Sequence, residues 1–281
     1  MQTILAYIQL ARFPLSLLLP GFAVTASYVI SSNARFEWPM LIPILAALLG
    51  TAGMCALNDF YDVEADQLGA RKRPLPSGRI SMRNGLSFAI LLTVFGLGLT
   101  ALSATRELTL TGSAAVLLGL LYNSWSKGKG ILGTLNFGLI MVAVTLLGMV
   151  ANGLKTEHSL FLLFVFFVAS TNQATANFYD YASDRTVGYR TIPNQYGLQK
   201  GAILVSLLRF TGMSFLAGFL YLLAPDNLLV LSLAALLLAQ PIISYQLLRR
   251  AVEIRYARIA FVVAVASTLL SFATILFAVL A

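Results

Sequence analysis

Asn58-Asp59-Phe60-Tyr61-Asp62-Val63-Glu64-Ala65-Asp66 closes an apolar run that begins at Leu41, and the reading of this junction decides the rest of the chain. Residues 41–57, with their flanks, are long enough to cross a bilayer as a helix. Asn58, Asp62 and Asp66 follow one another at i, i+4 and i+8, so a continuing helix stacks them on one face. Carboxylates at the mouth of a membrane helix are expensive to place, and by default they mark function. A solvated helix end would explain one Asp there. It does not explain an Asn and four acids within nine residues.

The pattern returns. Phe60-Tyr61-Asp62-x-x-x-Asp66 is matched by Phe178-Tyr179-Asp180-x-x-x-Asp184, with Asn58 and Asn177 shortly before. Each copy leads into a basic, Pro-closed loop: Arg71-Lys72-Arg73-Pro74-Leu75-Pro76 and Arg190-Thr191-Ile192-Pro193. Of the eleven acidic residues in the chain, six lie in these two segments. Two carboxylate clusters beside two basic loops can hold divalent metal and a polyphosphate between them.

The 281 residues are 58% hydrophobic and 11% charged, with a mean hydropathy of +0.83. Soluble domains carry about a quarter charged residues, so the chain is read as a polytopic protein of the lipid bilayer. A net charge of +8 invites a nucleic-acid partner, but the basic residues sit in short loops between apolar runs, which fits membrane topology and not a nucleic-acid patch. Cys55 lies inside an apolar helix and has no second Cys to pair with, and the lone His158 has no metal-ligating neighbours.

Nine spans are predicted, over residues 13–30, 38–57, 86–104, 108–121, 131–151, 160–175, 202–223, 228–248 and 259–280, in a single domain covering 1–281. The first is expected to be retained, not cleaved as a signal peptide. With nine crossings, fifteen basic residues fall in loops on the side of the N-terminus and three on the other. This places the N-terminus and both acidic motifs, at the ends of spans two and six, on the cytoplasmic face of the cell membrane. The motifs are 118 residues and four crossings apart, so they form a parallel repeat that can aim its acids at one cavity. Ala46, Gly50 and Gly53 allow close packing of the second span; Pro20 and Pro241 are expected to kink the first and eighth. Tyr122-Asn123-Ser124-Trp125-Ser126-Lys127-Gly128-Lys129-Gly130 ends the fourth span on the same face. It reads either as an interfacial anchor or as a source of cations for an anion.

Asn58-Asp59-x-x-Asp62-x-x-x-Asp66 followed by Arg73-Pro74-Leu75-Pro76-Ser77-Gly78 resembles the first signature of the UbiA superfamily of intramembrane polyprenyltransferases. The resemblance extends to Tyr122 with Lys127 and to Asp180-x-x-x-Asp184 with Gly188 and Thr191-Ile192-Pro193, and it covers essentially the whole chain. It implies an all-α bundle of nine transmembrane helices around a central cavity, with the acidic motifs on helices two and six. It also implies Mg2+-dependent transfer of a polyprenyl group from its diphosphate to a lipophilic acceptor. Asn58, Asp62, Asp66, Asp180 and Asp184 are then the expected metal ligands. Asn58, Arg71, Arg73, Lys127, Asn177 and Arg190 are expected to face the diphosphate, and Tyr122 the developing cation. The sequence departs from the family at Ala70, Gly128 and Ala176, where basic residues are common, and at Asn177, where an acid is common. The short step from Asp66 to Arg73-Pro74 is more like members with lipid-like or tetrapyrrole acceptors.

Two other readings use the same residues. A terpene cyclase on this fold needs the metal site but no acceptor. A cation transporter also places acids in the membrane, but acids clustered beside arginines suit an anionic ligand better. The chain is read as a prenyltransferase.

Overall fold

The computed structural model describes residues 2–32, 37–68, 73–103, 105–150 and 152–280, and among them the only regular elements are helices. In order these are α1 (Gln2–Leu10), α2 (Leu15–Ser31), α3 (Leu41–Tyr61), α4 (Val63–Leu68), α5 (Met82–Leu102), α6 (Arg106–Leu121), α7 (Ile131–Leu146), α8 (His158–Tyr179), α9 (Tyr181–Thr186), α10 (Ile192–Leu223), α11 (Leu228–Leu238), α12 (Gln240–Leu248) and α13 (Ile254–Leu280). In a bilayer every backbone N–H and C=O needs an internal partner, and a helix supplies them within one segment. Among the described residues, six stretches are long and apolar enough to cross a membrane: Trp38–Tyr61, α5, α8, α10, Leu228–Leu248 and α13. The predicted spans at α2, α6 and α7 are helices of 17, 16 and 16 residues.

Small residues set the closest approaches. A Cβ on Gly53 would stand 2.8 Å from the backbone N of Thr93, and one on Gly96 would stand 2.8 Å from the N of Gly50, so α3 and α5 touch backbone to backbone. α8 also packs closely on α7 at Gly138, where a Cβ would stand 2.7 Å from the Phe166 carbonyl, and on α10 at Gly212, where it would meet the Phe167 Cβ at 2.9 Å. The two prolines act differently. Pro20 lies inside α2, whereas Pro241 begins α12, where the eighth predicted span divides into α11 and α12. α10 contains a further break at Gly197, whose φ of 77° is open to glycine at little cost.

α8 outruns its predicted end at residue 175 and continues to Tyr179. Within it, Thr171 and Asn172 are buried against a cation of α10. Arg209 of α10 is 1% exposed. Its Nε donates to Gln240 Oε1 (2.5 Å), and Nη1 donates to Asn172 Oδ1 (2.7 Å) and Thr171 Oγ1 (3.2 Å). Nη2 donates to the Ala264 carbonyl (2.8 Å) and Ser267 Oγ (2.6 Å). One guanidinium therefore ties together α8, α10, α12 and α13. Beside it lies an apolar core that includes Phe161, Phe164, Phe219 and Phe272.

Candidate active site

The two acidic motifs have the same local geometry. α3 ends at Asp62 (φ −95°, ψ 7°) and α8 ends at Asp180 (φ −94°, ψ 12°), both in the bridge region where many active-site residues sit. The Asp62 N–H donates to the Asn58 carbonyl at 3.0 Å and the Asp180 N–H to that of Ala176 at 3.1 Å. A six-residue helix follows each break. Asp66 N–H donates to Asp62 O at 2.8 Å and Asp184 N–H to Asp180 O at 2.9 Å, so each pair keeps its i, i+4 link across the break. The short helices α4 and α9 touch each other.

Both motifs open into one cavity of about 180 Å³. Asn58, Asp62, Asp66, Arg73, Tyr122, Lys127, Asn177, Asp180 and Asp184 all line it. Of the other residues expected at the site, Arg190 is exposed and lies outside the lining, and Arg71 falls outside the described residues. Behind the acids the walls turn apolar and small, with Ala46, Gly50, Gly96, Ala115, Ile140 and Val144 from α3, α5, α6 and α7.

Cations are already in place among the first-motif acids. Lys127 donates to Asp62 Oδ2. Arg73 lies 3.7 Å from Asp66 and 3.8 Å from Asp59. Burial pushes the Asp66 carboxyl up to about 6, with the Arg73 charge opposing the shift. Arg12, between α1 and α2, donates to Asp59 Oδ1 and Asn58 Oδ1, each at 2.5 Å, and Asn58 Nδ2 donates to Asn123 Oδ1 at 2.9 Å. Asp59 is fully buried and holds Arg12, whereas Glu64 is exposed. Arg12, Asn123, Gln173 and Tyr189 line the cavity, although the sequence patterns did not single them out as site residues.

Tyr122 opens a π-helical turn, Tyr122–Ser126, at the end of α6; it is 6% exposed and packs edge-on to Phe137 at 5.6 Å. Trp125 is exposed and carries Lys129 Nζ over its ring at 3.6 Å, whereas Tyr122 is buried at the cavity. Gly128, where the family commonly has a basic residue, lies against the Tyr189 ring, and its carbonyl accepts from the Arg190 N–H at 2.9 Å. That bond ties the loop before α7 to the loop before α10.

The donor set fits magnesium. Asp62 Oδ1 and Asp66 Oδ2 are buried without a hydrogen-bond donor. Among the described residues no three His, Cys, Asp or Glu side chains converge on one point, so the acids approach the cavity as separate pairs. Mg2+ favours one or two carboxylates with phosphate oxygens and water over an all-protein cage.

A helical bundle with acids and cations at one end of a cavity and apolar walls behind them is an arrangement that can take a molecule with a charged head and an oily tail. The profile of the UbiA prenyltransferase family matches residues 17–264, and the chain belongs to that family. It is a prenyltransferase. It is 29% identical over 249 residues to the digeranylgeranylglyceryl phosphate synthase of Korarchaeum cryptofilum, covering 84% of this chain and 85% of that one. With the enzyme of the same name from Sulfolobus acidocaldarius it shares 30% identity over 225 residues, 75% of this chain and 81% of the relative. Its fold is similar to that of a UbiA homologue from Archaeoglobus fulgidus bound to GPP and Mg2+ (TM-score 0.70, 17% identity, 95% and 99% of the two chains). It is also similar to a UbiA homologue from Aeropyrum pernix (TM-score 0.75, 16% identity, 93% and 97%).

Proposed function

We propose that this enzyme transfers a prenyl group from a prenyl diphosphate to a lipophilic acceptor within the membrane, and that the acceptor is a glycerophosphate-type lipid. The observation that carries the reading is the single cavity with both acidic motifs at one end and small apolar residues at the other. The acceptor class rests on the relatives named digeranylgeranylglyceryl phosphate synthase. Asp62, Asp66, Asp180 and Asp184, with Asn58 and Asn177 beside them, are the residues that would hold Mg2+. The bound metal supplies Lewis-acid compensation for the charge of the leaving diphosphate.

The chain's own residues do the rest. Arg12, Arg73 and Lys127 neutralise the first-motif acids in the ligand-free state and stand within the cavity for the phosphate oxygens. The apolar chamber takes the prenyl tail and keeps water from the cation formed as the C1–O bond breaks. Tyr122 presents a buried phenol and ring to that cation. In the membrane the helices cross nine times, with α11 and α12 together forming one crossing, and the two motifs form a parallel repeat on the cytoplasmic face. Cysteines placed at Ser77 and Ser183 should then label from one side and one at Asn152 from the other; labelling of Ser77 and Ser183 from opposite faces would contradict the arrangement.

The deciding experiment gives purified enzyme Mg2+ and a panel of prenyl diphosphates, with and without a geranylgeranylglyceryl phosphate acceptor, and identifies products by mass spectrometry. A doubly prenylated glycerophosphate, released with stoichiometric diphosphate, is expected. Rapid acceptor-independent formation of one cyclic terpene would replace the transferase reading with a cyclase.

A further inference from the structure

We infer that the turn joining α12 to α13 is a headgroup site for an anionic phospholipid of the surrounding leaflet. Arg249 and Arg250 directly follow α12, and Arg255 and Arg258 lie in the first turns of α13. All four are exposed, and none lines the catalytic cavity. Glu253 is the one acid between them and pairs with Arg255 at 2.7 Å, which leaves residues 249–258 with a net charge of +3.

The positive charge is held in shape by aromatic rings. Arg249 lies over Tyr245 (5.6 Å), Arg250 and Arg255 over Tyr256 (5.8 and 4.9 Å) and Arg258 over Tyr179 (5.9 Å). Each guanidinium carbon lies within 6 Å of a ring centroid, close enough for a cation–π attraction that restricts the side chain at the surface, and the planar guanidinium keeps further N–H groups for phosphate oxygens. A loop designed only to bias topology needs charge but not this ordering.

The second element is apolar. Val252, at the tip of the turn, is 81% exposed, and Ile254 and Ile259 are exposed beside the arginines. An aqueous turn gains nothing by presenting Val252, whereas a lipid brings an anionic head to the arginines and acyl chains to Val252 and the exposed start of α13 together. Inorganic phosphate would satisfy the arginines and leave the apolar rim wet. The seat also adjoins the catalytic half: Arg258 Nη2 donates to Tyr179 Oη at 3.4 Å, and Tyr179 immediately precedes Asp180. The inference stands on these residues and does not depend on the acceptor proposed above.

The test uses full-length protein in nanodiscs of phosphatidylcholine containing a small fraction of spin-labelled phosphatidylglycerol or phosphatidylcholine. The wild type should immobilise the anionic probe at least about tenfold more than the neutral one. Combined Arg249→Gln, Arg250→Gln, Arg255→Gln and Arg258→Gln changes should bring the ratio to about one, with an unchanged melting temperature. Lysine at all four places keeps the charge and loses the planar donor fork, so it should give an intermediate, salt-sensitive ratio. If the four-fold Gln variant does not fold, the Arg249→Gln, Arg250→Gln pair alone should still lower the ratio severalfold. Equal immobilisation of both probes by the wild type would overturn the inference. So would a preference that survives the Gln variants, or one abolished by millimolar inorganic phosphate as completely as by excess phosphatidylglycerol.

Discussion

α3 breaks at Asp62 and α8 breaks at Asp180 with nearly the same dihedral angles, yet the space beside the two helices is different. Beside α3, Gly and Ala from α3, α5 and α6 leave a chamber. Beside α8, Phe161, Phe164, Phe219 and Phe272 fill the interior, and Arg209 bonds the neighbouring helices together. The backbone repeats, and the filling does not. One copy therefore supplies a pair of acids together with an open chamber. The other supplies a pair of acids on a solid support.

If both copies serve the reaction, removing a charge from either should be ruinous. Asp62→Asn and Asp180→Asn are each expected to lower kcat/KM by roughly 10²-fold or more, while Asp226→Asn, away from the cavity, leaves it unchanged. Wild-type turnover by Asp180→Asn, measured on folded protein, would reduce the second motif to scaffolding.

The solid half is tested by Arg209→Met. It leaves Asn172, Gln240 and Ser267 buried around an apolar side chain, so a loss of about 2 kcal/mol in stability is expected from denaturant titration in detergent. An equal loss from a mutation of an exposed apolar residue, such as Leu207→Ala, would show that Arg209 holds nothing in particular.

The hollow half is tested by Gly50→Leu. A Cβ at Gly50 meets no atom within 4 Å, so the new side chain enters the chamber without forcing the helices apart. Preference should shift toward shorter prenyl diphosphates by about tenfold. Parallel loss for all chain lengths would place the tail elsewhere.

Much of this is legible in the sequence. The acid motifs, their spacing and the intervening helices are local patterns, and helix periodicity carries them. The functional place of Arg12 is not local. A lone Arg before a span satisfies the positive-inside rule and asks for nothing more; its role appears only when folding brings it to Asp59, 47 residues away. Arg190 illustrates the reverse. It stands in the right motif, but its side chain is exposed, and the loop uses its backbone N–H to reach Gly128. Nor is the setting of the polar residues in α8 local: Thr171 and Asn172 accept from Arg209 of α10, and the other helices around that cation, α12 and α13, lie still later in the chain.

Arg209 also bears on how the chain is made. A lone Arg at the centre of a helix costs about 2.5–3.5 kcal/mol on insertion scales. Its partners on α12 and α13, Gln240, Ala264 and Ser267, are synthesised after α10, whereas Thr171 and Asn172 on α8 already exist. α10 is therefore expected to leave the translocon against α8 and not alone, and in chains truncated after α10 the Thr171→Ala, Asn172→Ala pair should lower its insertion efficiency in a glycosylation-mapping assay. The helix that leads into the second acidic motif would then act, for the duration of synthesis, as the chaperone of α10.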